Sequence, residues 1–332
     1  MEFRRRTRNE AERLERELLA PAATLSSRSK GREVPEEPDP YRTAFERDRD
    51  RILHSKAFRR LKHKTQVFID PEGDHFVTRL THTLQVTQIG RSIATFLSLN
   101  ETLTEAICLG HDVGHAPFGH AGEEALADYV DAEWLHSQQG LRIFQVLEPI
   151  NLTWEVLDGI RAHSWKIDPP PGTPEGVVCR FADRIAYLTH DVLDAMRAGV
   201  IAEGDLPASA IARFGEPGSP WIAAMIASVI EESIATGEVA MEPDCLEVMH
   251  ELRDFMFDQV YLRPEAAAHK RRVFTIIHEL VDHLLDDPSQ IPDTYRNPQS
   301  SELGQVIDYV AGMTDRFALR LHDTLFRPEA IG

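Results

Sequence analysis

The chain has 332 residues, of which 42% are apolar, enough for one large domain or two smaller ones with a sizeable core. No apolar run approaches the roughly 18 residues of a membrane helix and no signal-peptide segment opens the chain, so a cytoplasmic protein with no membrane partner is expected. The net charge of −18 divides into +6 over residues 1–66 and −24 beyond, which argues against broad non-specific nucleic-acid binding and requires any phosphate site to use local Arg and Lys or a metal.

Residues 1–20 carry the Arg/Glu and Leu spacing of a short amphipathic helix, and residues 21–40 are rich in Ser, Pro and Gly. Residues 1–40 are therefore expected to be a basic, flexible leader. Residues 45–61 show an apolar stripe of Ile52, Phe58 and Leu61 consistent with a helix, and residues 62–68 look more extended. Pro71-Glu-Gly-Asp74 is turn chemistry, suited to the tip of a short hairpin.

Between residues 76 and 99, Leu80, Val86, Ile89, Ile93, Phe96 and Leu97 recur at helical spacing. His82 falls on this stripe, where it is either a hydrogen-bonded core histidine or a ligand whose partners lie elsewhere. Thr102 and Glu105 form the spacing of a capping box for a helix that delivers His111-Asp112 to its last turn. Gly114 is placed to end it. Further helices are expected at 122–130, 134–147, 151–160 and 175–196, the last preceded by Pro169, Pro170, Pro171 and Pro174. On that last helix Asp183, Tyr187, Asp191 and Asp194 form a polar row, either a solvent face or a functional one. Helices at about 221–236, 244–261, 264–285 and 300–325 complete an all-α chain with no βαβ alternation, no P-loop and no internal repeat. Cys108, Cys179 and Cys245 lack metal-binding spacing and read as buried free thiols.

The concentrated chemistry lies between His111 and Glu123, where three histidines and two carboxylates are threaded with glycines and Pro117. Histidine and carboxylates bind metals and move protons, while glycine allows close backbone approach. His82, His111, Asp112 and Asp183 come from three separate predicted helices. Two imidazoles and two carboxylates suit one divalent ion, Mn²⁺, Fe²⁺, Mg²⁺, Co²⁺ or Zn²⁺, with positions left for water and substrate.

His82…His111-Asp112…Asp183 resembles the metal-binding pattern of the HD-domain phosphohydrolases. The surrounding stretches are similar to one branch, the deoxyguanosine triphosphate triphosphohydrolases and related dNTPases. The matching stretches are Arg59-Arg-Leu-Lys-His-Lys-Thr-Gln-Val-Phe68, Arg79-Leu-Thr-His82, Gly110-His-Asp-Val-Gly-His-Ala-Pro-Phe-Gly-His-Ala-Gly-Glu123 and Asn151-Leu-Thr153. Ala182-Asp-Arg-Ile-Ala-Tyr187, His190-Asp191 and Asp308-Tyr-Val-Ala-Gly-Met-Thr-Asp315 extend the match over nearly everything after Tyr41.

The resemblance implies an HD helical bundle, with a core at about 55–200 and added helices at about 205–332. It implies one divalent ion on His82, His111, Asp112 and Asp183, with His120 as general acid/base, Glu123 holding it, and His115 near the α-phosphate. Arg79, Arg184 and Tyr187 are implied to contact phosphates, and Gln66 and Asp191 the sugar 3′-hydroxyl. His136 matches another active-site histidine, although Ser137-Gln138 departs from the Asn or Glu of many relatives. The implied reaction releases a deoxynucleoside and inorganic triphosphate from a dNTP. A second dNTP or single-stranded DNA as effector, and a homo-oligomer, belong to the same set of expectations. Alternatives are another HD-domain nucleotide phosphohydrolase or phosphodiesterase, and a non-catalytic nucleotide-sensing or DNA-associated HD protein.

Overall fold

The computed structural model describes residues 3, 5–66, 76–130 and 133–327. Among them there are fifteen α-helices and two isolated β-bridges but no sheet, as the all-α reading expects. No described helix is long and apolar enough to cross a membrane. The Pro71–Asp74 turn lies outside the described residues.

After α1 (Arg8–Leu18), α2 (Ala44–His54) and α3 (Lys56–Arg60) come the helices that build the centre. These are α4 (Arg79–Phe96), α5 (Glu101–Gly110), α6 (His120–Ala127), α7 (His136–Arg142), α8 (Trp154–Ala162) and α9 (Pro174–Arg197). Helix α4 packs on both α5 and α9. Val86, Ile89 and Ile93 of α4 are fully buried, each contributing ~1.5–3 kcal/mol of apolar burial.

Gly90 sets how closely these helices approach. A Cβ there would lie 2.9 Å from Cys108 Sγ on α5, 3.2 Å from Thr104 Cγ2 and 3.5 Å from Ala182 Cβ on α9. The missing side chain lets three helices meet at one point, two turns along α4 from His82 and beside Asp183 in sequence.

The remaining helices are α10 (Ala208–Phe214), α11 (Ser219–Thr236), α12 (Pro243–Met256), α13 (Pro264–Asp286), α14 (Glu302–Ala311) and α15 (Asp315–Phe326). They divide between two hydrophobic cores. Phe214, Trp221 and Met249 of α10–α12 join the core of α2, α4, α5, α8 and α9. Val273 and Ile277 of α13 and Val306 of α14 form a second core with Ala116, Phe118, Ala125 and Leu126. Helix α6 and the loop before it thus belong to the second core, although they follow α5 in sequence.

Several local expectations change. Asn100, not Thr102, caps α5, accepting from Leu103 N at 3.2 Å. The helix expected at 134–147 is α7 followed by a π-helical turn over Ile143–Leu147. The single helix expected at 300–325 is two, because Gly312 caps α14 and Thr314 starts α15 by accepting from Phe317 N. Helix α10 was not expected, being only 7 residues long.

The leader differs most, for it is docked where a flexible segment is expected. Glu175 accepts from Thr24 N at 3.0 Å and Thr24 Oγ1 at 2.7 Å. Glu155 accepts from Ser29 Oγ at 2.7 Å and Lys30 N at 2.6 Å. Arg32 pairs with buried Asp48, whose other oxygen accepts from Thr153 N at 2.9 Å and Thr153 Oγ1 at 2.6 Å. Composition reports only the leader's own apolar content; its order comes from buried carboxylates on α2, α8 and α9 that need donors. Glu155→Ala removes the acceptor of two of these donors, at a cost of ~1–3 kcal/mol. Limited proteolysis of the native variant is expected to cut within residues 19–34 while the body resists; wild-type resistance there would show that Glu155 is not the anchor.

Candidate metal centre and active site

The N-terminus of α4 is fixed by Thr78, whose side chain accepts from Thr81 N, so Arg79 stands in the first turn and His82 follows one turn later. His111 is the C-cap of α5 and Asp112 the next residue, while Asp183 stands mid-way along α9. Ligand atoms of His82, His111 and Asp183 all lie within 4.8 Å of one another. His82 Nε2 is 3.1 Å from Asp183 Oδ1 and 3.7 Å from Asp112 Oδ2. His111 Nε2 is 3.3 Å from Asp112 Oδ1 and 3.7 Å from Asp183 Oδ1.

The proton positions point to a cation. His111 Nδ1 donates to Cys108 O at 2.6 Å, which leaves Nε2 a lone pair in the neutral ring. That Nε2 is buried without a hydrogen-bond partner among the described residues and faces carboxylates, which have no proton to offer. Burial lowers the pKa of His111, but Asp112 and Asp183 outweigh it and raise the value to about 10. Burial likewise raises Asp183, yet His111 and His82 hold it far below the carboxylate range. Once a cation replaces the His111 proton, imidazole lone pairs and ionised carboxylates make a donor set that fits a divalent ion.

Beyond Asp112 runs a chain of acids and imidazoles. His115 Nε2 is 3.0 Å from Asp112 Oδ1, and its Nδ1 contacts Glu123 Oε1. Burial, then the Arg79 charge and His136, lower His115 to about 4. A neutral ring has one proton, so His115 donates to only one of its two carboxylates. Glu123 Oε2 lies 3.2 Å from His120 Nδ1 and 3.4 Å from His136 Nδ1. His120 is the exposed member, its side chain 75% accessible against 8% for Glu123. Partial desolvation by the surrounding site opposes protonation of His120 even though its ring opens to solvent, and the bond and charge of Glu123 turn the net shift upward.

Two close approaches shape this loop. A Cβ on Gly114 would lie 2.0 Å from His136 O and 2.3 Å from Gly140 N, so glycine brings the loop against α7. Phe118 has φ 63, a left-handed conformation that costs a phenylalanine about 1 kcal/mol or more. Asp315 Oδ1 holds it there, accepting from Phe118 N at 2.8 Å, while Asp315 Oδ2 accepts from Thr65 N at 2.8 Å. Lys64 Nζ, buried beneath the loop, donates to His115 O and, at 3.2 Å, to Ala311 O. Asp308 receives Arg142 at 2.6 Å on each oxygen and Gln139 at 3.2 Å. The Asp308–Asp315 stretch thus ties the second core to the loop and to α7.

The other expected site residues are spread along α4, α9 and the segment before α4. Arg79 Nη1 is 3.0 Å from Asp112 Oδ2. Arg184 stacks on Trp165 with its guanidinium carbon 4.0 Å from the ring centroid, and its buried Nε has no hydrogen-bond partner among the described residues. Tyr187 is near it, raised to about 12 by burial despite the Arg184 charge. Asp191 accepts from Tyr261 Oη at 2.7 Å, and burial lifts it to about 7 against that bond. Gln66 presents a buried Oε1 with no partner among the described residues. The polar row on α9 is thus inward, with Asp191 and Asp194 buried.

Four residues of this region were given no site role from the sequence, although Lys64 and Asp315 lie in the matching stretches. His163, the C-cap of α8, sits with its ring 5.1 Å from that of His111 and its Nε2 3.0 Å from His136 Nε2. Tyr261, Lys64 and Asp315 are the others. A lone histidine at a helix end and a lone lysine in a basic stretch carry no signal that separates them from solvent-facing residues.

The "HD domain" family model matches residues 79–188, the span from Arg79 to just past Asp183, and the "Phosphohydrolase-associated domain" model matches residues 239–324. This bundle is an HD domain, and the protein is a metal-dependent HD-superfamily phosphohydrolase. A curated relative from Caldanaerobacter subterraneus subsp. tengcongensis, named deoxyguanosinetriphosphate triphosphohydrolase-like protein, is 45% identical over 97% of this chain and 96% of its own. Proteins of the same name from Clostridium perfringens and Desulfatibacillum aliphaticivorans are each 42% identical, over 98% and 97% of this chain and 98% of their own. The chain belongs to the deoxyguanosinetriphosphate triphosphohydrolase-like family.

Burial, followed by the charges of Arg60 and Arg79, lowers Lys64 from 10.5 to about 7, despite Asp315. Between those values the unfolded chain holds a proton that the folded one has lost. Its contribution to stability is therefore complete above pH about 10.5 and is lost as pH falls towards 7. Denaturant titrations of wild type and Lys64→Met are expected to show the wild type gaining relative stability from pH 7 to 10; a flat difference would mean that Lys64 stays charged.

Proposed function

We propose that the protein hydrolyses deoxynucleoside triphosphates at the α-phosphorus, releasing a deoxynucleoside and inorganic triphosphate. The observation that carries this reading is the convergence of His82, His111 and Asp183 donors within 4.8 Å, beside Arg79 and Asp112. The names of the relatives supply the substrate class. His82, His111, Asp112 and Asp183 would hold one divalent ion, of Mn, Mg, Fe, Co or Zn. Such an ion lowers the pKa of a bound water from 15.7 towards ~7 and offsets phosphate charge.

The chain's own residues then divide the remaining work. Arg79, now 3.0 Å from Asp112, brings a guanidinium to the transferring phosphate. Arg184 and Tyr187, further along α9, meet the outer phosphates. Gln66 and Asp191 take the sugar 3′-hydroxyl, and the neutral form favoured by burial lets Asp191 donate as well as accept. His120 has its Nδ1 on Glu123 and an exposed ring, so its Nε2 is free to protonate the 5′-oxygen as it leaves. His115 and His136 flank Glu123 and keep that carboxylate ionised. Possible effectors, a second dNTP or single-stranded DNA, and a homo-oligomeric assembly rest on the family resemblance alone.

Each dNTP, offered singly and in mixtures with Mn²⁺, Mg²⁺ or Co²⁺, is expected to yield inorganic triphosphate. His82→Ala and Asp183→Ala are expected to abolish it with helical content retained; full activity in either would reject the reading. Orthophosphate or pyrophosphate as the product would favour another HD-domain phosphohydrolase. His120→Ala is expected to bind nucleotide normally and lose roughly 10²–10⁴-fold in turnover, the usual worth of general acid/base catalysis. Wild-type turnover would remove His120 from that role.

A further inference from the structure

We infer that Tyr261 is a positioning residue for the sugar: its hydroxyl fixes the Asp191 carboxylate so that one oxygen is kept for the 3′-hydroxyl of a deoxynucleotide. The inference rests on the proposed hydrolysis, with Asp191 at the sugar.

Asp191 stands on α9 beyond Asp183 and is 3% exposed. Tyr261 Oη donates to its Oδ2 at 2.7 Å, and no other group among the described residues donates to this carboxylate. Asp194, the next acid of the same row, has both oxygens occupied. Its Oδ2 accepts from Val77 N at 3.0 Å, and its Oδ1 pairs with Arg197. The two buried acids therefore differ in what they have left. Asp194 is committed to holding the segment before α4 and the end of α9, whereas Asp191 keeps Oδ1 for a donor from outside the chain. A buried oxygen of that kind is costly to leave unpaired, and a sugar hydroxyl supplies the missing proton.

The residue that holds Asp191 comes from the C-terminal half of the chain. Tyr261 closes a single π-helical turn, Phe257–Tyr261, at the end of α12, a backbone distortion frequent at functional sites. Val260 beside it is buried in the first core and anchors the turn. The rings of Phe257 and Tyr261 meet edge to face with centroids 5.2 Å apart, which sets the plane of the phenol. Burial, followed by the charge of Asp191, pushes the phenol well above its ordinary pKa, so it remains a proton donor.

A donor locked on Oδ2 restrains rotation of the carboxylate and gives Oδ1 its direction before substrate arrives. A deoxynucleotide donates its 3′-hydroxyl to that oxygen. A 2′,3′-dideoxynucleotide has no such proton and leaves the oxygen unpaired, the situation in which a site built around a hydroxyl discriminates strongly. Tyr261 thus acts on how the sugar is held, through Asp191, and not on the bond that is cleaved.

The full-length protein is assayed by triphosphate release with the dNTP it hydrolyses best and with the 2′,3′-dideoxy triphosphate of the same base. Wild type is expected to prefer the dNTP in kcat/KM. Tyr261→Phe, which keeps the ring, is expected to lose roughly tenfold of that preference through KM, the worth of one hydrogen bond to a charged group. In an Asp191→Ala background the same change is expected to cost no further preference; a second tenfold loss there overturns the link between the two residues. An undiminished preference in Tyr261→Phe overturns the proposal, and so does an equal loss on both substrates, which would make Tyr261 a strut between α9 and α12. Phe257→Ala, at a residue 46% exposed, loosens the Tyr261 ring without uncovering the carboxylate, and its preference is expected to fall between those of wild type and Tyr261→Phe. If Tyr261→Phe does not fold, an undiminished preference in Phe257→Ala overturns the proposal in its place. Absence of any preference in wild type overturns it while leaving the hydrolysis intact. No triphosphate from any dNTP overturns the proposed function, and this inference with it.

Discussion

Asp112 is a carboxylate buried to 3% exposure in the middle of a helical protein, and the architecture around it compensates one negative charge. Burial raises its pKa, but His111, His115 and Arg79 together hold it well below the ordinary carboxylate value. An ionised carboxylate without such neighbours would cost several kcal/mol and would take up a proton instead. The compensation needs groups from different elements: Arg79 and His82 from α4, His111 from the end of α5, and His115 from the loop beyond. The close α4–α5–α9 crossing at Gly90 gathers them, so helix packing and site electrostatics are one constraint.

Much of this was legible in the linear chain because it has short-range or chemical signatures. The spacing of Val86, Ile89 and Ile93 gives the buried face of α4, and His82 lies on it in the folded protein. The glycine- and histidine-rich stretch announces unusual chemistry, and Asp183 with Tyr187 and Asp191 forms a row that does face inward. What was not legible depends on which distant elements meet. His163 looks like any helix-end histidine until α8 sets it beside His111. The leader looks unstructured by composition, and its order is owed to Glu155, Glu175 and Asp48, which give no sign in sequence of needing partners there. The break at Gly312 was visible as a glycine, but the 2.4 Å approach of a Cβ there to Tyr295 Oη could not be read from periodicity.

The junction between the two cores gives the site its form. The His111-Asp112 end of α5 belongs to the first core, whereas Phe118, Ala125 and Leu126 anchor the loop and α6 in the second. Glu123 therefore reaches His115, His120 and His136 from a helix whose position is set by α13 and α14. Gly114 lets the chain cross from one core to the other while pressed against α7. Glu123 with His120 and the His82–His111–Asp183 cluster are thus held by separate packing units, joined through Asp112 and His115.

The clamp at Asp315 joins Thr65 to a residue 250 positions later in the chain. Closing a loop of that length carries a large entropic cost and is repaid only when both ends are structured. The left-handed Phe118 has no local substitute for the Asp315 carboxylate. On a ribosome, where the N-terminal portion emerges first, α4, α5 and α9 can pack before α15 exists. The loop carrying His115 and His120 then acquires its shape only when synthesis is nearly complete. A partly made chain would hold His82, His111 and Asp183 together while His115 and His120 were still unset, so the cluster is finished only with the fold.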